Sequence, residues 1–152
     1  MIIERVNNKE NAIKCDELLT KLINSESKYD TNLKSNYQVK NYFENKYEDK
    51  DNCLFVAKDD KNLIIGYSYC KITTDDNGPY IHHIALLDGL YVDEKYRKQG
   101  IATQLIKACK DWALQIGAKI FELNVNSENI NAIELYKKIG FNEFEKKMRL
   151  EL

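Results

Sequence analysis

The stretch Leu90-Tyr91-Val92-Asp93-Glu94-Lys95-Tyr96-Arg97-Lys98-Gln99-Gly100-Ile101-Ala102-Thr103 constrains this chain more than any other. Three apolar residues read as the end of a strand, a charged run follows, and an apolar-periodic segment enters a helix at about Gln99. At the hinge between them Gly100 lets the backbone turn tightly and approach a ligand, because it carries no Cβ. The first amides of such a helix have no partner within it, and the positive end of the helix dipole lies behind them. That arrangement suits a phosphate group, and Arg97 and Lys98 add formal charge beside it. The competing reading of these residues alone is an ordinary surface turn with a basic pair.

On either side of the hinge the chain alternates strands and helices. Ile2 to Val6 reads as a strand, and Asn7 with Glu10 three residues on resembles a capping box. Ala12, Cys15, Leu19, Leu22 and Ile23 then keep one apolar helix face to about Asn24. Ser35 and Gln38 offer a second helix start, with Val39, Tyr42, Phe43 and Tyr47 on one side. Cys53 to Lys58 and Leu63 to Thr73 read as a hairpin about the turn Asp59-Asp60-Lys61-Asn62. Tyr80 to Val92 reads as one long strand, apolar enough at its centre to be buried on both faces. His82 and His83 are adjacent within it and point to opposite faces, so together they chelate nothing.

Beyond the hinge, Ile101, Leu105, Cys109, Trp112 and Ile116 form a helical stripe that Gly117 ends. Lys119 to Val125 reads as a strand, Asn129 to Ile139 as a helix closed by Gly140, and Phe141 to Leu152 as a final strand or hairpin rich in charge. This order predicts an α/β (α+β) chain: a mixed, mostly antiparallel sheet with helices on both faces, forming a single domain over residues 1–152.

Charge excludes some partners. The formal net charge is −1, with 23 basic and 24 acidic residues, and no basic stripe fits a nucleic acid. No apolar run approaches the ~20 residues of a membrane span, and Met1 to Val6 lacks the pattern of a signal peptide. Cys15, Cys53, Cys70 and Cys109 are far apart in sequence and each falls in an apolar pattern. They read as reduced, buried thiols of a cytoplasmic protein rather than as a zinc site, and no metal is expected.

A second motif points to a family. Arg97, Gly100 and Ala102 meet the pattern Arg/Gln-x-x-Gly-x-Gly/Ala of the GNAT superfamily of N-acetyltransferases. The later run from Asn129 through Ala132, Leu135-Tyr136 and Gly140-Phe141 resembles that family's second motif at the same spacing. The resemblance covers about Asp88 to Phe141, and Lys98 departs from it where the family often has glycine.

Membership implies acetyl-CoA as co-substrate and a primary amine as acceptor. The amides of Lys98, Gln99, Gly100, Ile101, Ala102 and Thr103 would receive the pyrophosphate, with Arg97 beside them. The sheet would splay between its fourth and fifth strands, and main chain at Leu90, Tyr91 and Val92 would hold the pantetheine arm and face the thioester oxygen. Asn129 and Ala132 would contact the cofactor, Asn129 also serving as a helix cap. Tyr136 occupies the position of the family's general acid, delivering a proton to the departing thiolate. The amine would attack directly, through a tetrahedral intermediate.

Asp88 is the expected base, a carboxylate in an otherwise apolar strand that resembles an acidic position of spermidine/spermine N-acetyltransferases. Its alternatives are an ion pair with a nearby Lys or Arg, a water relay, and Glu122 as the base. Tyr29, Asp30, Asp88 and Glu122 are candidate acceptor contacts. The acceptor expected first is a small cationic amine resembling a polyamine or aminoglycoside. A protein or peptide amine is the second reading, and a non-catalytic acyl-CoA sensor comes from another class. Common behaviour in the family adds a possible homodimer.

Overall fold

The computed structural model describes residues 1–152. Five strands form one sheet in the order β1 (Ile2–Arg5), β2 (Asn52–Lys58), β3 (Ile64–Ile72), β4 (Ile84–Val92) and β5 (Ile120–Leu123). The first three pairings are antiparallel and β4–β5 is parallel. Helix α1 (Lys9–Glu26) covers one face with the segment that follows it, and α2 (Ile101–Gln115) covers the other. The expected mixed sheet between helices is therefore present.

Local chemistry explains the elements. Asn8, one residue after the expected cap, starts α1 by accepting the Asn11 amide at 2.9 Å. Helix α2 buries Ile101, Leu105, Ile106, Cys109, Trp112 and Ala113, a stripe of helical period that lies on the sheet. Helix α3 (Ile130–Ile139) opens at Asn129, whose side chain accepts the Ala132 amide, and closes at Gly140.

Three sequence expectations are corrected. The helix expected after Ser35 is a series of turns. Its amides are taken by α1 side chains: Phe43 N–H donates to the buried Asp16 carboxylate at 2.7 Å and Val39 N–H to Thr20 Oγ1 at 3.1 Å. These bonds replace the i−4 ladder, although Phe43 still packs against Tyr67 and Tyr69. Strand β4 begins at Ile84 and not at Tyr80. His83 lies in the preceding loop, held by Thr74 at 3.1 Å and Asp76 at 2.9 Å.

The third correction is the C-terminal segment. Residues 142–152 belong to no helix or strand and their backbone makes no hydrogen bond within the chain. Yet Glu143 to Leu152 alternates charged and apolar residues almost perfectly, the period of a half-buried strand. Phe144, Met148, Leu150 and Leu152 are left between 83% and 116% exposed, because no strand of this chain pairs with the segment.

Strand β4 carries the irregularity that shapes the site. Tyr69 lies opposite Gly89 and Cys70 opposite Leu87, so Asp88 is an extra residue with no partner on β3. Such a bulge reverses the in–out alternation. Before it, Ala85 and Leu87 pack under α2; after it, Leu90 and Val92 do so, and Tyr91 turns to the α1 face.

Candidate active site

Pairing between β4 and β5 stops at Leu87–Leu123, while β4 runs on to Val92. The sheet is therefore open on one side of β4 from Asp88 onward. Asp93 N–H donates to Ile65 O across β3. The Tyr91 carbonyl also faces β3, since a Cβ on Gly66 would meet it at 2.8 Å. Alternation then turns the amides of Leu90 and Val92 into the gap.

The chain next passes through a short 3₁₀ turn, Glu94–Tyr96, into the hinge. Arg97 Nε donates to the Val92 carbonyl at 2.9 Å and its guanidinium lies 5.6 Å from the Tyr91 ring centroid. These contacts aim the guanidinium. Lys98 and Gly100 both take left-handed backbone, at φ +62° and +78°. Lys98 thus adopts the conformation that glycine favours, with a Cβ in place. None of the amides from Lys98 to Thr103 donates to a protein acceptor. Six unpartnered amides at a helix N-terminus beside Arg97 have the residue types and spacing that suit a pyrophosphate.

Tyr136 lies on α3, half-buried against the core under α2, with its ring edge-on to Phe141 at 6.0 Å. Burial raises its phenol above the usual value, keeping the proton in place, and the Glu26 charge acts in the same direction. Asn129 and Ala132 stand at the start of the same helix, joined by the cap bond of 3.3 Å.

Asp88 stands on the α1 face of the gap, its carboxylate 3.0 Å from Lys71 Nζ. The carboxylate lines an apolar cavity of about 320 Å³ between α1, the turns after Ser35 and β3. Glu122 lies opposite Leu86 on β5, half-buried. Tyr29 and Asp30 lie outside that cavity. Tyr29 O accepts from Asn126 at 3.4 Å, and Asp30 is gripped bidentately by Arg149 at 2.7 and 3.0 Å. Arg149 holds the Asp30 carboxyl down at about 2.

Two features escape the sequence. Tyr67 is fully buried at the cavity wall, and its hydroxyl has no hydrogen-bond partner in the protein. An orphan of this kind typically costs about 1–3 kcal/mol. In addition, Cys53, Cys70 and Cys109 converge from β2, β3 and α2 until their sulfurs lie within 4.8 Å of one another. All four cysteines are free and buried, as expected, although spacing along the chain conceals this cluster.

Comparison with known proteins places this geometry. The Acetyltransferase (GNAT) family matches residues 19–141. A Dictyostelium discoideum homologue of the ARD1 subunit of the N-terminal acetyltransferase complex is 36% identical over 110 residues, covering 72% of this chain and 51% of that protein. The type 1 aminoglycoside N(6')-acetyltransferase of Acinetobacter haemolyticus is 31% identical over 70 residues, 46% of this chain and 48% of that one. The chain spans about half the length of these relatives, and 27% of an uncharacterized N-acetyltransferase of Methanocaldococcus jannaschii. In fold, a tetramutant of the Bacillus halodurans BH1408 protein superposes with a TM-score of 0.88 over 100% of both chains, at 22% identity. An aminoglycoside N-acetyltransferase, AAC(6')-Iy, solved with CoA, gives 0.75 over 99% of this chain and 98% of that one, at 22% identity.

Proposed function

Since the chain belongs to the acetyltransferase (GNAT) family, we propose that it moves the acetyl group of acetyl-CoA to a primary amine of a small molecule. The observation that carries this reading is the run of unpartnered amides from Lys98 to Thr103 beside the gap in the sheet. The pyrophosphate would lie on those amides and on Arg97. The pantetheine arm would run along β4, and the thioester oxygen would meet an amide of Leu90 or Val92. Such a donor acts most strongly on the oxyanion of the tetrahedral intermediate, where each is worth about 3–4 kcal/mol.

An alkylammonium is mostly protonated at neutral pH, so the amine must lose a proton before it attacks. Asp88 takes that proton, directly or through water, and Lys71 orients its carboxylate. When the C–S bond breaks, Tyr136 protonates the departing CoA thiolate. The likeness to aminoglycoside acetyltransferases supports a small-molecule acceptor. A peptide α-amine is the second reading, favoured by the longer match to the ARD1 homologue.

Melting with and without acetyl-CoA tests this proposal. A ligand that binds only the folded state raises the melting temperature. Wild type should respond at millimolar acetyl-CoA and Gly100→Pro should not, because proline removes an amide and cannot take the φ of +78° that the hinge requires. Thiol release across polyamines, aminoglycosides, amino acids and peptides then identifies the acceptor. An unresponsive wild type refutes the assignment.

We further propose a homodimer in which Glu143 to Leu152 pairs with a second copy. Free buried thiols suit a reducing compartment, and we propose the cytoplasm.

A further inference from the structure

The cavity beside Asp88 has an uneven chemistry. Leu19 and Ile23 of α1, Val39 and Phe43 of the following turns, and the rings of Tyr42 and Tyr69 make most of its wall. The aromatic members pack edge to face, with centroids 5.0 to 6.1 Å apart. Polar groups belong to few of its residues: Asp88, Lys40 and the tyrosines. One of those tyrosines is Tyr67, whose hydroxyl has no partner. Space is kept for it by the residue after the bulge, because a Cβ on Gly89 would stand 2.9 Å from the Tyr67 oxygen. A hydroxyl without a protein partner, on a tyrosine of the cavity wall and shielded from solvent, is the polar group that an occupant reaching it would satisfy.

We infer that Tyr67 is an acceptor-binding residue, and that the acceptor is a monoamine carried on an aromatic or aliphatic frame. This rests on the acetyltransferase reading above and narrows its acceptor. The Tyr67 oxygen accepts one N–H of the amine. Asp88 takes the proton that the ammonium must lose, and the freed electron pair forms the bond to the thioester carbon. The CoA thiolate leaves with the proton of Tyr136, and the second proton of the nitrogen, shed as the amide forms, restores that phenol, so the products are the amide, the CoA thiol and the one proton on Asp88. A polyhydroxylated amine fits this wall poorly, because its hydroxyls would lie unpaired against Leu19, Ile23, Val39 and Phe43. An apolar frame leaves nothing unpaired, and the tyrosine rings add cation–π attraction for the incoming ammonium.

The test compares wild type with Tyr67→Phe, using 2-phenylethylamine and the aminoglycoside fragment neamine as probes. Wild type should release thiol with 2-phenylethylamine at a kcat/KM at least about tenfold above that for neamine. Tyr67→Phe should keep the melting shift on acetyl-CoA and melt no lower than wild type, since it deletes a group with no partner. Its kcat/KM for 2-phenylethylamine should fall about tenfold or more, chiefly through KM. With CoA present, 2-phenylethylamine should raise the melting temperature of wild type and not of the variant.

Three outcomes overturn the inference: preference for neamine, no turnover of 2-phenylethylamine, or unchanged KM in the variant. A Tyr67→Phe protein that melts lower also overturns it, because the hydroxyl would then serve the fold. Any of these alongside an intact acetyl-CoA shift leaves the acetyltransferase reading standing. Absence of that shift in wild type removes both.

Discussion

Lys71 and Asp88 form an ion pair of 3.0 Å between β3 and β4, and Asp88 is the residue of β4 that β3 leaves unmatched. Its partial exposure and the partner on Lys71 are why a carboxylate is tolerated in the middle of a central strand. Both side chains are more than a third exposed, at 36% and 37%, so solvent discounts the pair to about 0–1 kcal/mol. Asp88→Asn should therefore fold with nearly wild-type stability, and any loss of activity reads chemistry. Acetylation should fall most at pH 7 and recover toward pH 9–10, where free amine is abundant. A wild-type pH profile in Asp88→Asn passes the role of base to Glu122 or to solvent.

Tyr136 is predicted to act on the leaving group alone. Removing its hydroxyl should leave the acetyl-CoA melting shift in place and lower turnover about 10²-fold or more, without rescue by alkali. That contrast with Asp88→Asn separates an acid from a base in one pH series. Unchanged turnover in Tyr136→Phe would reduce the residue to packing against Phe141.

At the hinge, Lys98 holds left-handed backbone against the preference of a side chain with a Cβ. Glycine relieves that strain, worth about 1–2 kcal/mol, and gives back about 0.5–1 kcal/mol through the freer unfolded chain. Lys98→Gly should thus be more stable by roughly 0.5–1 kcal/mol in chemical denaturation, with weaker acetyl-CoA affinity from the lost charge. A destabilised Lys98→Gly would show that the lysine side chain contributes more to the fold than its backbone costs.

What was legible in the sequence was what neighbouring residues decide. The hinge at Gly100, the stripe of α2 and the cap at Asn129 follow from local periodicity and turn chemistry and stand where expected, except that Ile116 caps α2 and is exposed instead of extending its stripe. Val39, Tyr42, Phe43 and Tyr47 have helical spacing too, yet Thr20 and Asp16 claim the amides a helix requires, and those partners lie 19 and 27 residues away. The bulge at Asp88 exists only in the pairing with β3, so no pattern within β4 announces it. Tyr67 shows the same limit, since an alternating strand tyrosine reads as core until its hydroxyl is seen to lack a partner.

The C-terminal segment leads to the last prediction. Its apolar residues share one parity with Lys146, and its charged residues fill the other. A strand so patterned is stable only when one face is covered and its backbone is paired, and within one chain neither condition is met. The outer edge of β5 is unpaired as well, so a second copy can satisfy both surfaces by reciprocal strand addition. Light scattering at micromolar concentration should report a dimer for wild type and a monomer for the double variant Met148→Asp, Leu150→Asp. Arg149 anchors the segment through Asp30, whose carboxyl is held at about 2 against an ordinary value near 3.9. A depressed carboxyl stabilises above its ordinary value and loses that contribution as pH falls through the folded one. The anchor should accordingly persist at pH 5 and weaken only between about pH 4 and pH 2, whereas Asp30→Asn should lack this acid transition. A monomeric wild type at neutral pH would refute the pairing and leave the alternating tail without a partner of its own kind.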